Sequence, residues 1–122
     1  MMLQIDRARQ LVDELLDRGW MRLGHQTFDN HPYYMSGPYP IAIGQNIRLN
    51  PKKSVAENID SYFKRMMSRM TKYGVKKFIV FGSKSGIPIP QYFKDFCSAN
   101  GIVIEMISDE ENMEDVINKL QL

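Results

Sequence analysis

Cysteine is almost absent from this chain. Cys97 is the only one in 122 residues, which excludes an internal disulfide and a cysteine-rich zinc site. Histidine is nearly as scarce. His25 and His31 lie six residues apart with Asp29 between them, fewer than the three converging ligands a zinc site needs. No HExxH spacing accompanies them, and no nucleophile partnered to either as a general base can be named. Binding rather than catalysis is therefore expected, with no metal or cofactor. No apolar run approaches the ~20 residues of a membrane-spanning helix. The opening MMLQIDRARQ has no apolar core of the kind a secretory signal carries. These absences point to a cytoplasmic chain that does not enter membranes.

What is present reads as one globular domain. Hydrophobic residues make up 43% of the chain and charged residues 25%, the proportions of an ordinary soluble protein with a single core. Nine methionines are many for this length. Core filling is their commoner use, an adaptable surface the other.

Charge is spread unevenly. From Arg48 to Lys84 ten Lys/Arg face only Glu57 and Asp60, a local balance of +8, whereas residues 1–47 sum to −1 and 85–122 to −5. A basic block between acidic ends can attract phosphate. Within it, Ser54 and Glu57 have the spacing of a capping box. Val55, Ile59, Phe63, Met66, Met67 and Met70 then recur at helical period, with Tyr62 and Tyr73 on the flank. Arg65, Arg69 and Lys72 line up on the opposite side, and Gly74 suits a left-handed helix end. The same cations would also serve simply as a solvated helix face. Phe78-Ile79-Val80-Phe81 follows as an unbroken apolar run, the pattern of a strand buried on both faces.

Elsewhere, Ile5, Ala8, Leu11, Val12, Leu15 and Leu16 predict a helix over 4–18 closed by Gly19. Residues 20–28 read as a strand, and 29–40, with three prolines, one glycine and three tyrosines, as a loop. Residues 41–49 alternate as a half-buried strand that should pair antiparallel with 20–28. Pro90 fits the first turn of a helix ending near Asn100, with Tyr92, Phe93, Phe96 and Cys97 inward. Residues 102–107 form a last strand, and Ser108 with Glu111 a second capping box before a helix to Leu120. The fold class is thus a small α/β mixed sheet of about four strands, in the order α-β-β-α-β-α-β-α. Its second half is a parallel βαβα unit and its first an antiparallel hairpin.

Three groups of residues are candidate sites. Arg65, Arg69 and Lys72, helped by Lys52, Lys53, Lys76 and Lys77, could contact phosphates. Tyr33, Tyr34 and Tyr39 of the presumed loop could stack on bases or pack against a partner. Gly82-Ser83-Lys84-Ser85-Gly86 follows a strand and precedes a helix, where α/β sheets gather ligands. It could cradle a phosphate, but it has neither the spacing nor the ending of a Walker A loop.

Two segments resemble known families. Leu49 to Lys64, LNPKKSVAENIDSYFK, resembles the stretch that opens the coiled-coil region of NFACT-type ribosome quality-control proteins, matching at Leu49, Pro51, Ser54, Glu57, Asn58, Tyr62, Phe63 and Lys64. Phe78 to Leu120 is similar in layout to a small α/β family that includes a respiratory complex I assembly factor. Each likeness covers one segment, and the chain is assigned to neither family. The leading expectation is a non-enzymatic nucleic-acid-binding protein, for RNA rather than DNA, using the basic helix face. The alternatives are a protein-interaction or inhibitor module docking a partner protein, and a phosphate or small-ligand binder at residues 82–86; the partner would be RNA, another protein or, in a homo-oligomer, further copies of the chain.

Overall fold

The computed structural model describes residues 4–24, 32–44, 50–81, 89–108 and 110–120. The elements in chain order are α1 (Gln4–Asp17), β1 (Met21–Arg22), β2 (Tyr33–Ser36), β3 (Pro40–Ile43), α2 (Val55–Tyr73), β4 (Lys77–Phe81), α3 (Gln91–Ala99), β5 (Val103–Ile107) and α4 (Met113–Leu120). The five strands form one mixed sheet in the order β1-β2-β3-β4-β5. β1, β2 and β3 are antiparallel neighbours, and β3, β4 and β5 are parallel. Both parallel crossovers step the same way across the sheet. A common hand for them puts α2 and α3 on the same face, and α1 and α4 take the other.

Strand alternation sorts the core accordingly. Tyr33, Met35, Ile41, Ile43, Ile79, Phe81 and Ile107 join Leu11, Leu15, Val116 and Ile117 from α1 and α4. Tyr34, Ala42 and Phe78 join Phe63, Met66, Met70, Phe93 and Cys97 from α2 and α3. The result is a three-layer α/β/α arrangement, the expected class with one more strand.

That strand is the main correction. β2 lies inside the stretch read as a loop. Its Tyr-Tyr-Met core is buried on both faces, as β-forming residues can be in an inner strand. The prolines and glycine that gave 29–40 its loop composition stand at the ends of β2: Pro32 before it, Gly37 and Pro38 after it. Gly37 is needed there, because a Cβ would sit 2.3 Å from Trp20 Cδ2. Consequently β3 pairs with β2 rather than with the 20–28 segment, and β1 is only two residues long.

The helix ends follow the sequence chemistry with two exceptions. At α2 both halves of the capping box form: Glu57 N donates to Ser54 Oγ at 3.1 Å and Ser54 N to Glu57 Oε1 at 3.3 Å. Gly74 closes α2 with φ 66°. Of the proposed stripe, Phe63, Met66 and Met70 are buried, Ile59 and Met67 pack against them, and Val55 is 60% exposed. The first exception is Pro90, which is the cap of α3 rather than its first-turn residue. The second is α4, where Asn112 Oδ1 accepts from Asp115 N at 2.9 Å. Ser108 instead caps a short turn, accepting from Glu110 N at 3.2 Å. In α3, Phe93 and Cys97 are buried as expected, but Tyr92 is 38% exposed.

Candidate nucleic-acid interface

Arg65, Arg69 and Lys72 stand four and three residues apart on α2, so they share one edge of the helix. All three are exposed. At ~1.5 Å rise per residue the row runs about 10 Å along the axis. Among the described residues, none of the three forms an ion pair. The neighbouring Lys64 does, at 2.8 Å from Asp60. Lys72 Nζ stands 5.7 Å above the Tyr73 ring.

This edge faces the β1–β2 side of the sheet. Tyr34 lies there with its ring 5.3 Å from that of Tyr73. Burial pushes the Tyr34 phenol up, while the charges of Arg69 and Arg65 pull it the other way. Its hydroxyl is buried and has no hydrogen-bond partner among the described residues. Beyond Tyr34 the sheet continues to β1 on this face. Met21 pairs with Ser36 and therefore points to the same side as Tyr34, and it is 69% exposed. A basic helix edge thus rises beside an open apolar ledge.

The other nominated residues divide. Lys52 and Lys53 are exposed on the turn before α2. Asn58 fixes that turn: it accepts from Asn50 N at 2.8 Å and donates to the carbonyls of Asn50, Lys53 and Ser54 at 3.2, 3.3 and 2.8 Å. Lys76 is exposed just past the end of α2, its backbone N–H bonded to Pro40 O at 2.9 Å. Lys77 is separate from this group, since its Nζ donates to Lys119 O at 3.1 Å, at the carboxyl end of α4 on the opposite face. There it meets the negative end of the helix dipole.

The tyrosines are corrected too. Tyr33 and Tyr34 are 7% and 2% exposed strand residues, so their rings are core surfaces and not stacking platforms. Tyr39 packs edge-on to Trp20 in the α1/α4 layer, with its hydroxyl donating to Leu120 O at 2.8 Å. His25, Asp29, His31, Arg48 and Gly82-Ser83-Lys84-Ser85-Gly86 lie outside the described residues. Among the described residues no three of His, Cys, Asp or Glu come together as metal ligands. No described helix is long and apolar enough to cross a membrane.

Sequence reasoning missed Asn58 and Arg7. Arg7 is 8% exposed. Its guanidinium donates to the Ser108 and Glu111 carbonyls and stacks 5.3 Å over the Phe81 ring. Its signal was its place four residues before Leu11, on the core side of α1. Asn58 gave the corresponding sign, a polar residue next to the apolar stripe one turn past a cap.

The fold and this edge define a three-layer α/β protein with a cationic helix margin beside an open sheet ledge. No family model, curated protein or solved structure matches the chain. The two segment likenesses therefore do not extend to a family.

Proposed function

We propose that the protein binds single-stranded RNA along the α2 edge, without catalysing a reaction on it. The observation that carries this reading is the row of exposed Arg65, Arg69 and Lys72, free of carboxylates among the described residues, whereas Arg18, Lys64 and Lys119 are each paired with one. Paired surface charges contribute little to stability. An unneutralised row of one sign instead creates a field that draws in a polyanion. Phosphates would lie on Arg65, Arg69 and Lys72, with Lys76 and the Lys52–Lys53 turn extending the track. Bases would rest on the Met21 ledge, in place of the tyrosine rings that the core has taken.

The test is a titration with a fluorescent oligonucleotide at several salt concentrations. Each phosphate contact on a single strand contributes about −0.7 to the slope of log affinity against log salt. Arg65→Ala/Arg69→Ala/Lys72→Ala should flatten that slope by about 2 and weaken binding roughly a hundredfold near physiological salt. Unchanged binding in the triple variant would refute the assignment.

A further inference from the structure

The far edge of the sheet has different chemistry. β5 is the last strand, and no described residue pairs with its outer side. Val103 N donates to Lys76 O at 3.0 Å. In a parallel ladder the alternate residues then point their N–H and C=O groups away, which leaves those of Ile104 and Met106 on the open edge. Val103 and Met106, on opposite faces of that edge, are each 53% exposed. Natural edge strands are commonly guarded by lysine, proline or a bulge. Val103–Ile107 has none of these, and its one charge is Glu105.

Glu105 belongs to an acidic corner. Glu105, Glu111 and Asp115 all act on one ammonium, that of Lys119, which lies 2.6 Å from Glu111. Lys77 Nζ, 3.1 Å from the Lys119 carbonyl, and the Arg7 guanidinium on the Glu111 carbonyl offset much of that charge, and Glu105 is the one charge that β5 itself carries. This argues against self-pairing, because a two-fold β5–β5 contact centred on the strand sets Glu105 opposite Glu105, a destabilising arrangement. A strand carrying cations opposite Glu105 would be attracted instead.

We infer that the β5 edge accepts an extended basic segment of a partner protein as a sixth strand. Apolar side chains of that segment would lie beside Met106 and Ile104, and lysine or arginine beside Glu105. Its backbone would bond to the open groups of Ile104 and Met106, as in other strand additions. The inference concerns a different edge from the RNA reading and does not depend on it.

The experiment is amide hydrogen exchange of the intact chain with a blocked peptide of alternating lysine and valine, and with its glutamate–valine counterpart. The lysine peptide should slow exchange at Ile104 and Met106 by about tenfold or more at saturation, and the glutamate peptide should not. Glu105→Lys should reverse that preference. Met106→Pro should abolish protection, yet leave the β4–β5 amides slow, since the lost N–H points outwards. No protection by the lysine peptide, or equal protection by both peptides, overturns the inference. So does slow exchange at both positions in the protein alone together with a dimer mass, because a second copy would then hold the edge.

Discussion

Beneath α1 and α4 the core is mostly aliphatic, with Leu11, Leu15, Ile41, Ile43, Ile79 and Leu120 fully covered. Beneath α2 and α3 it is aromatic and sulfur-rich, built from Phe63, Phe78, Phe93, Tyr34, Met66, Met70 and Cys97. The surface charges differ in parallel. In the α1/α4 layer cations are bound into the fold: Arg18 to Glu114 at 3.3 Å, Lys119 to Glu111 at 2.6 Å, and Lys77 to a helix end. In the α2/α3 layer the Arg65–Lys72 row has no such partners among the described residues. Arg18, Lys119 and Lys77 of one layer hold elements together, while Arg65, Arg69 and Lys72 of the other are presented to solvent. The second use is what a binding edge requires.

The comparison can be broken first at its cores. Phe93 is fully buried, with the Phe63 and Phe78 rings at 4.8 and 5.5 Å. Phe93→Ala should cost about 3–5 kcal/mol, and Leu11→Ala in the other layer about 2–5 kcal/mol, both measured by denaturant unfolding. Cys97 reports on the same layer. Burial pushes its thiol up to about 11, so alkylation at neutral pH should be slow in the native protein. It should accelerate in Phe93→Ala more than in Leu11→Ala. Equal acceleration would mean that the layers open together.

A smaller effect is expected at the base of the cationic edge. Asn58→Ala removes the side chain that holds residues 50–54, so Asn50 N–H and the Lys53 carbonyl lose its bonds while the Asn50 and Ser54 carbonyls keep their backbone donors, at about 1–3 kcal/mol. RNA affinity should fall only as far as Lys52 and Lys53 contribute, which titration at fixed salt would show.

The smallest effect is pH dependence. Hydrogen bonds from Lys64 and then Tyr92 hold the Asp60 carboxyl below its ordinary range, and Tyr92 Oη lies 2.7 Å from Asp60 Oδ1. A depressed folded value means that the stabilisation is complete above the unfolded carboxyl value of ~3.9. It is lost as pH falls through the lower folded value. Asp60→Asn should therefore differ from the parent above that range and converge with it below. Burial and this hydrogen bond push Tyr92 up to about 12, so its hydroxyl keeps donating throughout the test. A gap that persists unchanged at the lowest pH would exclude this tie between α2 and α3.

Much of this architecture was legible because local signals agreed with the tertiary arrangement. Ser54 with Glu57, Gly74, and the run Phe78–Phe81 each announced an element whose neighbours required the same thing. β2 was hidden because its punctuating prolines and glycine were averaged over a window wider than the strand. The α4 cap was misplaced because Ser108–Glu111 has the right spacing but Asn112 stands closer to the apolar period. For the site, the Arg65–Arg69–Lys72 row could be read from helical spacing alone. The loss of the tyrosines to the core could not, since burial of Tyr33 and Tyr34 depends on strands distant in sequence. Lys77 separated from its neighbour Lys76 because extended backbone turns successive side chains to opposite faces, and Lys77 opens β4 on the α1/α4 side.

The most direct measurement compares salt slopes of RNA binding for three proteins: the parent, Arg65→Ala/Arg69→Ala/Lys72→Ala, and Arg18→Ala/Lys119→Ala. The account predicts a slope flatter by about 2 in the first variant and unchanged in the second, whose cations are already committed to carboxylates. Equal slopes in all three, or RNA binding indifferent to salt, would contradict it.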